Sequence, residues 1–257
     1  MGTTGKAENK TEQKAEKAEQ AGQAGKAGGK TGQTGKKAEK TDHRKLGGEL
    51  YRAKAVPQPL DVPEFAFLAL DGTGDPQQSP EFGPAIAALY AVSYALKFAV
   101  RADTGTDYAV MPLEGLWHSD DPHFDAVSAD SYGPGARAGW RWTLLIRQPV
   151  PYTDAQLAAA LAKAEAKVEA KAEGKAEGKA GAEAVGRLRR ESFTEGRCVQ
   201  VLHQGPYETE PRTVKLLHDY LHTEGLREAG RHHEIYLSDP TRTAPERRRT
   251  ILRQPVS

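Results

Sequence analysis

The segment His232-His-Glu-Ile-Tyr236 holds the side chains best suited to chemistry. On a strand, alternate residues share a face, so His232, Glu234 and Tyr236 point one way and His233, Ile235 and Leu237 the other. A carboxylate beside a tyrosine on a central strand is costly if it faces an apolar interior without a partner. Two arrangements satisfy it: an ion pair across the sheet with Arg249 or Arg253, or a pocket in which Glu234 meets a ligand. Pro112-Leu-Glu-Gly-Leu-Trp117 offers a second acid, Glu114, which either joins such a pocket or caps the backbone of a tight turn. Trp140 and Trp142 share a strand face and, with Trp117, are all the tryptophans of the chain; they suit either a ligand wall or the core. His203-Gln-Gly-Pro-Tyr207 sits at a strand end before a helix start, where His203 and Tyr207 either orient a ligand or are carried by the turn.

The elements that must position these groups follow one pattern, used twice. Phe65–Leu70 reads as a strand stopped at Asp71-Gly72, then a helix with Ser79 as N-cap, Pro80 at its first position and a stripe of Phe82, Ile86, Leu89, Ser93 and Leu96. Strands over Tyr108–Met111 and Trp140–Ile146 complete the first copy. The second copy runs through a strand at Cys198–Leu202, a helix begun near Pro211 with Val214, Leu217 and Leu221 buried, and a Gly225-Leu226 cap. Strands at His233–Leu237 and Thr250–Leu252 close it. Ile146-Arg-Gln-Pro-Val150 and Leu252-Arg-Gln-Pro-Val256 end the two copies almost identically, which points to duplication. A cleft at the join is where a small-molecule pocket is expected.

Composition divides the 257 residues unevenly. Residues 1–45 contain almost none of the large apolar types and read as a disordered low-complexity tail, leaving 46–257 as the folded domain. Within it, 58–150 form the first repeat, 153–186 a linker helix with an Ala/Lys/Glu-rich insert, and 187–257 the second repeat. The linker helix is capped by Thr153 or Asp154, and Gly174, Gly178 and Gly181 weaken the insert as a helix. A formal charge of +1 gives no pull toward nucleic acid. No run is expected to supply the roughly 20 apolar residues of a membrane span, and the single Cys198 suits a reducing cytoplasm. Asp71-Gly-Thr-Gly-Asp75 lacks the rest of a phosphate-binding loop, and His118, His203, His232 and His233 lack metal-ligand spacing, so no metal or cofactor is expected. Oligomeric state is not legible.

The motifs Pro112–Trp117, Trp140-Arg-Trp142, Ile146–Pro149, Glu195-Gly196, Val199–His203, Gly205–Tyr207 and His232–Pro240 together resemble the GyrI-like small-molecule-binding proteins. They are most similar to the stand-alone cyclopropanoid cyclopropyl hydrolase branch. The resemblance implies an α+β fold of two βαββ units about a pseudo-twofold axis, with Glu234 as the acid of the cleft between them. It implies hydrolysis of reactive, DNA-alkylating cyclopropanoid compounds, a detoxifying role. Glu234 would activate water as general base, Glu114 would assist, and Trp117, Trp140, Trp142, His203, Tyr207 and Tyr236 would contact the ligand. The alternatives are sequestration of hydrophobic or cationic drugs without turnover, or modulation of a gyrase. The long tail and the insert depart from the family pattern.

Overall fold

Among the described residues, two βαββ units pair edge to edge until no strand edge is left. The computed structural model describes residues 39–119, 136–172 and 176–257. Residues 1–38, most of the segment read as a tail, and Gly174 of the insert lie outside the described residues. The first unit is β1 (Gln58–Thr73), α1 (Phe82–Thr104), β2 (Leu113–Ser119) and β3 (Trp140–Arg147). Helices α2 (Asp154–Ala172) and α3 (Ala176–Gly186) lead to the second unit: β4 (Arg189–Gln204), α4 (Glu210–Thr223), β5 (His232–Tyr236) and β6 (Arg249–Pro255). The strands form a closed antiparallel barrel in the order β1-β3-β2-β5-β6-β4. Exchanging β1 with β4, β2 with β5 and β3 with β6 maps this ring onto itself, which is the pseudo-twofold expected of a duplication. Closure removes the exposed edges that an open sheet would present for aggregation.

The sheet has two sides with different chemistry. Outside, α1 packs its stripe of Ala85, Leu89, Val92 and Leu96 over Leu68, Leu70, Leu144 and Ile146. The α4 stripe of Val214, Leu217 and Leu221 covers Val199, Val201 and Leu252. Inside lies a smaller apolar patch, Phe67, Ala69, Leu116 and Leu145, with the Phe65 and Phe193 rings against it. α4 ends in a Schellman turn: Gly225 adopts φ 66°, Gly225 N–H bonds the His222 carbonyl and Leu226 N–H the Leu221 carbonyl.

Several expectations shift. Ser79 and Pro80 belong to the turn before α1, which begins at Phe82 with Glu81 at its N-cap position. The Ser79 N–H is already bonded to the Asp75 carbonyl, which continues the turn instead of starting a helix. Tyr108–Met111 is not a strand; only Tyr108 bridges, and its partner is Thr41. The chain is already tied to the fold before position 46, by Thr41 N–H to the Asp107 carbonyl and Ala109 N–H to the Thr41 carbonyl. The insert packs as a helical hairpin. Thr153 and Gln156 cap α2 reciprocally at 2.8 and 3.2 Å, and Ala160, Ala164, Ala184 and Val185 join the α1 core. Gly181 serves that packing, because a Cβ there would lie 2.4 Å from Val168 Cγ1. Finally, α1 is long and apolar enough by length and composition to cross a membrane, contrary to the expectation that no run is. Half of that apolar stretch is buried against the barrel and the hairpin.

Candidate functional site: an acidic, aromatic pocket on the β2–β5 seam

Strand register decides what faces the seam. Gly115 lies opposite Glu234 and Trp117 opposite His232. Directly opposed residues share a face, so Trp117, Gly115, Glu234 and Tyr236 form a floor on the outer side of the barrel. α1 walls it with Phe82, Ile86, Tyr90 and Tyr94, the turn ahead of α4 with Tyr207 and the first residue of α4 with Glu210; the cavity is about 710 Å³. Tyr90 also fixes wall to floor, since its hydroxyl accepts a hydrogen bond from Leu113 N–H at 3.2 Å. Gly115 leaves the floor open: a Cβ there would sit 2.9 Å from Trp117 Nε1 and 3.2 Å from the Tyr236 hydroxyl. Gly115→Ala should therefore displace both rings and weaken ligand binding several-fold with little loss of stability, read by dye titration beside thermal unfolding.

The aromatic residues contact one another edge to face. Trp117 and Trp140 are 5.6 Å apart at 66°, Tyr207 and Tyr236 6.1 Å apart at 87°. Arg137 lies 5.4 Å from the Trp140 ring centre, and Arg248 5.4 Å from that of Tyr207. Glu234 accepts a 2.7 Å hydrogen bond from the Tyr236 hydroxyl, and its side chain is only 16% exposed. Burial pushes its carboxyl up to about 7, against the opposing pull of the Tyr236 hydrogen bond, His233 and Arg137. Tyr236 itself is pushed well above the usual tyrosine range, first by burial and then by the Glu234 charge. Burial takes Tyr207 up to about 12.

Neither cross-sheet arginine neutralises Glu234. Arg253 lies on the inner face, opposite His233, and binds Glu195 at 2.9 Å. His232 Nε2 is 3.8 Å from Glu234, but burial, with His218 and His233 adding to it, holds His232 down at about 4 and hence uncharged at neutral pH.

Three residues expected in the pocket stand elsewhere. Glu114 is one residue out of phase with Gly115 and so faces the barrel interior, where it takes the Tyr51 hydroxyl at 3.2 Å and His233 Nε2 at 3.0 Å. It is the second residue of β2 and not a turn cap. Trp142 is buried in the main core, edge-on to Phe82 at 5.1 Å. It fills the space over Gly72, where any Cβ would fall 2.0 Å from the ring. Trp142→Ala should cost about 3–5 kcal/mol through the cavity left behind and lower Tm by roughly 10 °C, a loss that calorimetry would register. His203 braces the turn before α4, with Nδ1 at 2.8 Å from Thr213 Oγ1 and Nε2 at 3.2 Å from the Pro206 carbonyl. Trp117, Trp140, Tyr207, Tyr236 and Glu234 do meet in one cavity. Glu210, Arg137 and the tyrosines of α1 join them, and sequence reasoning missed these. Glu210 had a signal: it directly precedes Pro211, near which the helix of the second copy begins.

A closed, duplicated βαββ barrel with one acidic, ring-lined cavity at its seam defines a small-molecule-binding protein. Residues 152–256 match the sequence profile of the GyrI-like small molecule binding domain. An uncharacterised conserved protein from Listeria innocua, of known crystal structure, is 38% identical with a TM-score of 0.69, covering 85% of this chain and 100% of its own. Two crystal structures of proteins from the same organism, described as hydrolases, are 37% and 36% identical with TM-scores of 0.66 and 0.67 at the same coverage. No curated protein matches the sequence. The chain belongs to the GyrI-like small-molecule-binding family.

Proposed function

We propose that the protein hydrolyses an electrophilic, cyclopropane-bearing aromatic compound, with Glu234 as the general base that draws a proton from water. The observation that carries this reading is the Glu234 carboxyl itself, buried beside Tyr236 and held at about 7 by its dry surroundings. A base poised near the working pH is ionised in part of the population and still accepts a proton with adequate driving force. The rings of Trp117, Trp140 and Tyr207 give a flat substrate two walls and exclude bulk water. Relatives described as hydrolases at 36–37% identity, matched over their whole length, support turnover. Destruction of a reactive alkylating agent would make the role protective.

Such a substrate carries a cyclopropane conjugated to a ring carbonyl. Water adds to a cyclopropane carbon and loses a proton to Glu234; the strained C–C bond breaks, and its electron pair moves through the ring to the carbonyl oxygen, which becomes a phenol oxygen. The product is heavier by one water. Incubating the purified protein with a panel of cyclopropane-fused dienones and following product mass tests this. A panel left intact beyond the buffer control overturns hydrolysis.

A second reading, binding of a cationic aromatic molecule without turnover, is favoured by the same carboxylate and ring walls. Trp117→Ala then lowers affinity for a cationic dye by about fivefold, the equivalent of ~1 kcal/mol, in an equilibrium fluorescence titration. Unchanged affinity would remove Trp117 from the binding surface.

A further inference from the structure

The cavity contains a second carboxyl, and the chemistry above has a second proton to place. Glu210 is the first residue of α4, 8% exposed, and lines the same cavity as Glu234. Its Oε1 is buried with no hydrogen-bond partner among the described residues. A buried carboxylate oxygen left without a donor is strongly disfavoured, whereas a protonated carboxyl there is neutral and has a proton to give. The groups facing Glu210 are Glu234 and Tyr236 from β5, the Thr250 hydroxyl from β6, Tyr207 and Glu208 from the turn ahead of α4, and Arg137 across the cavity. Four of these are acids or phenols, and the one cation among them, Arg137, is shared with Glu234 and the Trp140 ring.

We propose that Glu210 is the general acid of the reaction whose base is Glu234, giving its carboxyl proton to the substrate oxygen on which negative charge collects as the three-membered ring opens. This rests on the hydrolytic reading and assigns its second catalytic residue. Tyr236 is the poorer donor, since its hydroxyl proton is already committed to Glu234 Oε2. Burial, then the adjacent Glu234 charge, hold Glu210 well above the usual carboxylate range, so the two carboxyls separate into a proton-holding and a proton-accepting member. The balance closes. Water's oxygen bonds to the cyclopropane carbon as its proton passes to Glu234. The C–C bonding pair arrives on the carbonyl oxygen as that oxygen takes the proton of Glu210. One proton then returns from Glu234 to Glu210, and the net change is addition of water.

The test uses the full chain and a series of spirocyclopropane-fused cyclohexadienones whose phenol products differ in acidity. Glu210→Gln is expected to lower kcat by about 10²-fold or more for the least acidic phenol, with KM little changed. The loss should shrink along the series as the phenol becomes more acidic and needs less help. The alkaline limb of the pH–rate profile should disappear in the same variant and persist, at reduced kcat, in Glu210→Asp, which keeps the acid one methylene back. Should Glu210→Gln fail to fold, Glu210→Asp and the native leaving-group dependence carry the same reading. A native-like kcat in Glu210→Gln, or a uniform loss across the series with the alkaline limb intact, overturns the acid assignment alone. Absence of turnover by the native protein overturns the hydrolytic reading together with it.

Discussion

Glu234→Gln should lower the rate of ring-opening hydrolysis by about 10²- to 10⁴-fold, the usual worth of a positioned general base. The amide keeps the shape of the carboxyl and can still accept the Tyr236 hydrogen bond, so the ring walls stay in place. In the native protein the rate should rise with pH through about 7 as Glu234 ionises. That acid-side limb should vanish in the variant, leaving whatever the remaining donors provide. Because Glu210 lies in the same cavity, the two limbs of the profile belong to the pair rather than to either residue.

The same substitution should stabilise the protein at alkaline pH. The folded Glu234 titrates at about 7 and the unfolded one at the ordinary 4.5. Between those values the native chain binds a proton that the unfolded chain has released, so stability falls as pH rises through the window. The full penalty, about 3 kcal/mol for a shift of this size, is present above pH 7 and absent below 4.5. Glu234→Gln removes it. Denaturant midpoints of native and variant protein should coincide near pH 4 and separate by pH 8, the variant being the more stable. Equal midpoints at both pH values would mean that the carboxylate is solvated in the native state.

Breaking the ionic cluster inside the barrel should be as damaging to folding as the Glu234 change is to catalysis. Glu195 joins His233 Nδ1 at 2.9 Å to Arg253 Nη1 at 2.9 Å. Arg253 goes on to the Leu50 carbonyl and Gln200 Oε1, tying β5, β6 and β4 to the segment ahead of β1. Burial opposes both charges, yet His233 and Arg253 hold Glu195 down at about 2, and Glu195 and Glu114 hold His233 up at about 9. Glu195→Gln leaves the Arg253 guanidinium without its carboxylate in a closed interior and the His233 imidazolium with Glu114 alone, which costs about 3–5 kcal/mol and lowers Tm by roughly 10 °C. The pH dependence has two sides. The raised His233 contributes fully below its ordinary 6.5 and loses its contribution as pH rises through 9. The depressed Glu195 contributes fully above 4.5 and loses it as pH falls toward 2. The native protein should therefore show a stability plateau from these two groups between about pH 4.5 and 6.5 that Glu195→Gln lacks. Calorimetric scans across that range would reveal a retained plateau if the cluster contributes nothing.

The sequence by itself determined the parts that depend on local pattern. Period-two and period-three-to-four hydrophobicity located β1, α1, β3, β4, α4, β5 and β6. The repeated Arg-Gln-Pro-Val endings announced the duplication, and alternation along His232–Tyr236 put Glu234 and Tyr236 on one face. Those are properties of neighbours along the chain. Only the tertiary structure decided which face of each strand met which partner. A one-residue phase difference in β2 sends Glu114 into the barrel and Gly115 to the pocket floor, and no local signal in Pro112–Trp117 reports that phase. Strand-face parity alone could not separate Trp140 from Trp142 either; Gly72 captures one ring in the core, while the seam leaves the other on the cavity wall. The Ala/Lys/Glu-rich insert reads as a helix weakened by its glycines, yet small side chains and Gly181 let two helices approach closely enough to bury Ala160, Ala164 and Ala184 on α1. Glu210 and Glu234, 24 positions apart, share a cavity because β5 and the start of α4 converge at the seam, and convergence of that kind is set by packing, to which the spacing of residues along a chain is blind.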